Sequence, residues 1–152
     1  MSLKKNYIIF PILFVIFIFI LSSLPVETIS DKISALGFVK YLKIEVKNYL
    51  PIQLSVVKEI IQNMLHIPLF AILAFLWMSF FRKRQINYKK AVLYTCLITF
   101  LISNLDELYQ LFVPERDASF LDLFLDMIGL LLGVVIYTVT NKSANMAKRS
   151  AQ

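Results

Sequence analysis

Four blocks of apolar residues constrain this chain more than any other feature of its sequence. They cover about residues 7–24, 65–81, 91–113 and 120–140. Because an α-helix rises about 1.5 Å per residue, roughly 20 apolar residues are needed to cross the ~30 Å hydrocarbon core of a bilayer. Apolar residues make up 59% of the 152 residues, which is more than a small soluble domain buries. The sequence therefore predicts an all-α fold, a four-helix transmembrane bundle formed as a single domain over residues 1–152.

The first block has a second interpretation, a cleavable signal peptide, because Lys4 and Lys5 precede it. Three features favour a membrane span instead. The apolar run is long for a signal peptide, the LSSLP sequence at residues 21–25 has no small-x-small cleavage pattern, and three further apolar blocks follow. We therefore interpret residues 7–24 as the first transmembrane helix.

The basic residues indicate how the bundle is oriented. The chain has 16 Lys and Arg against 10 Asp and Glu, and basic links and tails collect on the cytoplasmic side of a membrane protein. The link between the second and third blocks carries Arg82, Lys83, Arg84, Lys89 and Lys90 and no acidic residue. Basic residues also precede the first block and follow the fourth, so both termini are predicted to be cytoplasmic. This account of the charge involves no nucleic acid partner.

The same orientation places residues 25–63 and 114–119 on the outer side. Residues 25–63 mix Lys with Asp and Glu and keep apolar residues at helical spacing, as in VKEIIQNML at 57–65. This pattern predicts an amphipathic outer segment that rests on the outer leaflet. A single cysteine, Cys96, excludes an internal disulfide and a Cys-based zinc site, and only three glycines exclude a Gly-rich phosphate loop.

Polar side chains near the outer ends of the predicted spans are the candidate site residues, because ionisable groups are costly to place in a bilayer and those that occur usually line a site. Asp106 lies about 24 Å along a helix from Lys90, near the outer edge of the hydrocarbon. Helical spacing puts Asp106, Glu107 and Gln110 on one side of the third span. The candidates are His66, Asp106, Glu107, Gln110, Arg116, Asp122 and Asp126.

Some residues of this region also have a structural interpretation. Pro114 is expected to end the third helix. Ser119 and Asp122 fit the S-x-x-D pattern of a capping box, which would satisfy the first backbone donors of the fourth helix. Gly129 and Gly133 form a G-x-x-x-G motif, which lets two helices approach closely.

Two candidates are compatible with more than one role. His66 stands before an apolar run, so it fits either a packed histidine or an acid/base group. Arg116 is the only arginine on the predicted outer side. It fits a counter-ion for the carboxylates or a bidentate ligand for a phosphate.

Residues 106–133, DELYQLFVPERDASFLDLFLDMIGLLLG, resemble the VanZ-like family of small bacterial membrane proteins. The family pattern reads D-E-x-x-Q-x-F-x-P-x-R, then a Ser, then D-x-x-x-D or D-x-x-x-N, then G-x-x-x-G, and the sequence matches each of these positions, with Asp at both ends of the third motif. SSLP at 22–25 and the spacing of His66, Phe70 and Leu73 resemble the first two helices of the family. In the family a Lys or an Asp–Lys pair often precedes the histidine, where this chain has Gln and Asn.

The resemblance implies a multi-pass protein of the bacterial cell membrane and resistance to teicoplanin-type lipoglycopeptides. It implies no particular molecular activity. One hypothesis is a binding protein whose partners are membrane lipids or a lipid-linked cell-wall precursor. The alternative is a membrane-embedded hydrolase or transferase that acts on a lipid-linked phosphate. A transporter is a poorer third hypothesis, because the charges collect at one face. The sequence specifies no cofactor, no metal and no oligomeric state.

Overall fold

The computed structural model describes residues 7–23, 54–114 and 119–150, with side chains over 7–23, 63–114 and 119–142, and these residues form four α-helices. The helices are α1 (Ile9–Ser22), α2 (Leu54–Lys83), α3 (Tyr88–Gln110) and α4 (Phe120–Ser150). The described residues contain no β-strand. The prediction of an all-helical fold is therefore confirmed.

Three helices are long and apolar enough to cross a membrane: Asn63–Lys83 within α2, Tyr88–Gln110, and Phe120–Lys142 within α4. The first helix is shorter than the predicted span, since α1 has 14 residues and covers about 21 Å at the usual helical rise. The fourth membrane crossing therefore stays a prediction. The structure supports a membrane protein with at least three helices of membrane-spanning length in the described residues.

The helix boundaries differ from the predicted spans at the start of α2, at the end of α3 and at the end of α4, which continues to Ser150. α2 begins at Leu54, so the VKEIIQNML sequence continues directly into the apolar part of α2 and is not a separate helix. α3 ends at Gln110, and residues 111–114 form turns with hydrogen bonds from Phe112 N to Tyr109 O and from Val113 N to Gln110 O. The rest of the predicted outer segment, residues 25–53, lies outside the described residues.

The four helices alternate in direction, which gives the bundle two distinct ends. The basic end contains the link of residues 84–87, and the acidic end contains Asp106, Glu107, Asp122 and Asp126. α1 begins at the basic end, where Lys83 Nζ lies 4.1 Å from the centre of the Tyr7 ring. α4 also runs from the acidic end to the basic end. The N-terminus of α1 and the C-terminus of α4 therefore lie at the same end of the bundle, the basic end.

The link between α2 and α3 is tight because α2 ends in a Schellman motif. Gln85 has φ 61°, Gln85 N donates to Arg82 O, and Ile86 N donates to Phe81 O. Asn87 then caps α3, since its side chain accepts a hydrogen bond from Lys89 N at 3.0 Å. This short connection makes α2 and α3 antiparallel neighbours, so the start of α2's apolar part and the end of α3 meet at the acidic end.

The core is apolar through most of its depth and becomes polar at the acidic end. Near the basic end, aromatic rings stack around Trp77, whose ring centroid lies 5.7 Å from that of Phe81. Phe81 in turn contacts Tyr94 of α3 edge-on at 5.6 Å. The buried core residues are Ile18, Phe70, Leu73, Trp77, Met78, Phe81, Ala91, Ile102 and Tyr137.

The glycines of α4 allow α2 and α4 to pack most closely. A Cβ atom at Gly129 would overlap Ile67 O, and one at Gly133 would overlap Ala71 O and crowd the Cβ of Ala74. The G-x-x-x-G face of α4 thus lies directly on the backbone of α2. Since Ile67 follows His66 and Gly129 lies one turn after Asp126, this close approach brings the polar ends of the two helices together.

We predict that Gly129→Ala and Gly133→Ala each destabilise the bundle by about 1–3 kcal/mol, because the added methyl group meets α2 backbone that cannot move without separating the helices. Val135→Ile is the matched control, since Val135 is exposed on the same helix and also gains one carbon. Unfolding of the purified proteins in detergent measures the effect. Equal stability of the glycine variants and the control would contradict the proposed close contact.

Candidate functional site

A fully buried carboxylate, that of Asp126, is the centre of the acidic end. His66 Nδ1 lies 2.9 Å from Asp126 Oδ1, and Ser103 Oγ donates to Asp126 Oδ2 at 2.5 Å. These three side chains come from α2, α3 and α4. Because a buried carboxylate is costly unless it is paired and hydrogen-bonded, this array satisfies Asp126 and at the same time joins three helices.

A second carboxylate approaches the other side of the His66 ring. Asp122 lies one turn before Asp126 on α4, and its Oδ2 is 4.0 Å from His66 Nε2. The ring of His66 also lies nearly parallel to that of Phe70, with ring centroids 6.3 Å apart. His66 is therefore held between two carboxylates of α4, and it is buried.

Glu107 connects α3 to the start of α4. Its Oε2 accepts a hydrogen bond from Ser119 N at 2.8 Å, while Ser119 Oγ accepts from Leu121 N at 3.1 Å. Ser119 is thus the N-cap of α4. In a capping box, Asp122 would accept a hydrogen bond from Ser119 N. In the structure Glu107 of the neighbouring helix accepts this hydrogen bond. The negative charge also lies at the positive end of the α4 dipole.

The other oxygen of Glu107, Oε1, is buried and accepts no hydrogen bond within the described part of the chain. Glu107 as a whole is only 9% exposed. A buried carboxylate oxygen with this geometry is available to a ligand, a proton or a cation.

Asp106 and Gln110 form a pair on α3 itself. Gln110 Nε2 donates to Asp106 Oδ2 at 2.9 Å, as the spacing of four residues allows. Both side chains are buried, so this face of α3 points into the bundle. The predicted sharing of one side by Asp106, Glu107 and Gln110 agrees with their burial.

Pro114, Gly129 and Gly133 lie at the edges of the site. Pro114 is exposed in the turn after α3, three residues beyond the C-cap Leu111. Arg116 lies outside the described residues, so its two predicted roles stay open. Gly129 and Gly133 continue the same face of α4 toward the basic end.

Ser103 is a site residue that the sequence reasoning missed. Serine is common in membrane helices and carries no charge, so alone it gives little signal. Its spacing is informative, because Thr95, Thr99 and Ser103 recur every four residues and Glu107 follows at the next step. All three hydroxyl residues are completely buried, so this row marks the α3 face that leads to the carboxylates.

A cleft of about 160 Å³ opens beside Glu107 between the end of α3 and the start of α4. Asn104, Glu107 and Ser119 give it a polar wall, and Leu108, Phe120 and Leu123 give it an apolar one. Leu108 and Phe120 are exposed on the outside of the bundle. The cleft therefore joins the buried carboxylates to the surface that a lipid would contact.

The described side chains of the site are mostly carboxylic acids. Four buried carboxylic acids, Asp106, Glu107, Asp122 and Asp126, surround one imidazole, that of His66. Carboxylates in such an environment share protons or recruit a positive group. Donor atoms of His66, Glu107 and Asp126 lie within 4.8 Å of one another, so these three residues have the spacing to hold a cation.

Comparison with known proteins identifies one related family. The model of the family described as VanZ/LLP1 matches residues 7–141, a range that includes every described residue of the acidic end. The chain matches no curated protein and no solved structure.

We predict strong coupling between His66 and Asp126 in a double-mutant cycle. His66→Leu and Asp126→Val each leave one polar group buried without its partner and should cost about 3–5 kcal/mol. The destabilisation of the double variant should be smaller than the sum of the two single effects, and the difference should be at least about 1 kcal/mol.

The control cycle pairs His66→Leu with Tyr88→Phe. Tyr88 bonds Thr138 near the basic end, so these two effects should add. Additive effects in both cycles, measured by unfolding in detergent, would show that the 2.9 Å contact does not contribute to stability.

Proposed function

Because the chain belongs to the VanZ/LLP1 family and is a membrane protein, we propose that it acts at the outer face of the bacterial cell membrane. There it binds an envelope lipid or a lipid-linked cell-wall precursor. Through this binding it lowers sensitivity to teicoplanin-type lipoglycopeptides, which carry a lipid anchor and work at the same surface.

The observation that carries this proposal is the cleft beside Glu107. Its apolar wall opens to the outside of the bundle, where lipid would lie. Its polar wall leads to Glu107, Asp126 and His66. These groups are held in place by Ser119, Ser103 and Asp126, respectively. A molecule with an acyl chain and a polar head matches both walls, and a preorganised site loses little entropy on binding. Amine and hydroxyl donors of such a head would suit the carboxylates.

The orientation rests on the basic end of the bundle. The link between α2 and α3 carries basic residues on both sides of the turn, so the positive-inside rule places it in the cytoplasm. The acidic end is then on the outer side. His66 and Asp126 would lie about one to two helical turns below the ends of their apolar segments, within reach of a headgroup.

A specific observation also favours the alternative, an enzyme acting on a lipid-linked phosphate. Asp126 bonds His66 through Nδ1, which orients the imidazole and leaves Nε2 for proton transfer, as in acid/base dyads. An observation against the enzyme is that Ser103 is completely buried and donates a hydrogen bond to Asp126, so it is not arranged as a nucleophile. Release of phosphate from a lipid-linked substrate by purified protein, abolished by Asp126→Asn, would favour the enzyme.

The proposed topology predicts a labelling pattern in a Cys96→Ser background. Single cysteines at residues 40 and 117 should react with a membrane-impermeant thiol reagent applied to intact cells, and Ile86→Cys should react only after the membrane is permeabilised. Labelling of residue 86 in intact cells would reverse the orientation.

Expression in a sensitive Gram-positive host should raise the teicoplanin concentration needed to stop growth by more than it raises that of vancomycin. Asp126→Asn keeps the shape of the side chain but removes its charge, so it should abolish this effect at equal protein level. Leu131→Ala is the control, since Leu131 is exposed on the same helix, and it should retain resistance.

Unchanged sensitivity to both drugs with well-expressed protein would end the proposed link to resistance. Full activity of Asp126→Asn would place the functional site elsewhere in the molecule.

A further inference from the structure

Three donor atoms from three helices converge at the acidic end. They belong to His66 of α2, Glu107 of α3 and Asp126 of α4, and all lie within 4.8 Å of one another. Two ligands of a tetrahedral zinc ion, each bonded at about 2.0–2.2 Å, are ~3.3–3.6 Å apart. Closing on one ion therefore needs the widest separation to shrink by at most ~1.5 Å, a distance that small side-chain rotations can supply.

His66 and Asp126 have a separation close to that of two ligands of the same ion. His66 Nδ1 and Asp126 Oδ1 are 2.9 Å apart, about 0.5 Å less than the ~3.4 Å between two ligands of a tetrahedral zinc ion. An ion at this place would replace the hydrogen bond between the two residues with a bond to each of them.

Each carboxylate has one oxygen that is held by a hydrogen bond from outside the group of three ligands. Ser103 Oγ holds Asp126 Oδ2, which leaves Oδ1 on the side of His66. Ser119 N holds Glu107 Oε2, which leaves the buried Oε1 without a hydrogen-bond partner among the described residues. Outer hydrogen bonds of this kind orient the ligands in metal sites.

The ligand types indicate which ion fits. One imidazole nitrogen and two carboxylate oxygens suit Zn²⁺, whereas Mg²⁺ and Ca²⁺ prefer oxygen ligands alone. Three protein ligands would leave a fourth position open. Because Glu107 also lines the cleft between α3 and α4, that position would face the cleft.

We propose that His66, Glu107 and Asp126 form a zinc site with an open position toward the cleft between α3 and α4. The site deepens the proposed function by giving the cleft a metal ion whose open position can take an oxygen atom of the headgroup, and that role rests on the proposed function. Zinc binding itself is measured without reference to resistance.

The test uses full-length protein in detergent, purified with a tag that contains no histidine, stripped with a chelator and titrated with Zn²⁺. We expect one zinc per chain by elemental analysis. X-ray absorption at the zinc edge should show one imidazole ligand, which identifies His66 because the chain has a single histidine.

His66→Gln, Glu107→Gln and Asp126→Asn should each weaken zinc binding by more than about 100-fold. Ser103→Ala should weaken it by about 10- to 100-fold, because it removes only the group that orients Asp126. Cys96→Ser and Leu131→Ala are the controls and should bind as the unchanged protein does. Circular dichroism confirms that each variant remains helical, and Ser103→Ala keeps the test decisive if a ligand variant does not fold.

Absence of stoichiometric zinc in helical protein would overturn the site. Equal binding by helical His66→Gln, or a bound ion with no imidazole ligand, would also overturn it and indicate an adventitious ion only. Resistance conferred by a protein that binds no zinc would overturn the proposed zinc site and leave the proposed function in place. Zinc bound as predicted, in a protein with no effect on drug sensitivity, would leave the zinc site in place and overturn the proposed function.

Discussion

The carboxylate of Asp126 is completely buried in a bundle that is otherwise largely apolar, and the arrangement of the acidic end depends on satisfying it. A lone carboxylate there would be prohibitively costly. The hydrogen bond from Ser103 and the contact with His66 compensate this cost. Because the two partners lie on different helices, satisfying one side chain also sets the relative positions of α2, α3 and α4.

The pairing of His66 with Asp126 in turn requires α2 and α4 to be very close. Gly129 and Gly133 make this possible, since they let α4 lie on the backbone of α2 at Ile67 and Ala71. Membrane helices gain little from apolar burial against each other and associate through such close packing and polar contacts. Steric fit and polar pairing therefore act together, and neither would position the site alone.

The site combines a closed interior with an open side. Glu107 has one oxygen on the N-cap of α4 and the other directed to neither a donor nor solvent, while the adjacent cleft reaches the outer surface of the bundle. This asymmetry is typical of binding sites, in which rigidly held side chains leave one polar atom to contact the ligand. It relates the proposed envelope ligand and the proposed ion to the same few residues.

The sequence by itself determined the all-helical fold, the three long apolar helices and the end of the bundle at which carboxylates collect, because these depend on local hydrophobicity and helical spacing. It did not determine that α1 has only 14 residues, that Glu107 caps α4 across a helix interface, or that Ser103 is part of the site. A hydroxyl has no signal of its own in an apolar helix, and a cap supplied from another helix leaves no pattern in adjacent residues. Only the tertiary structure decided these features, because each depends on which side chains face one another after the helices have packed.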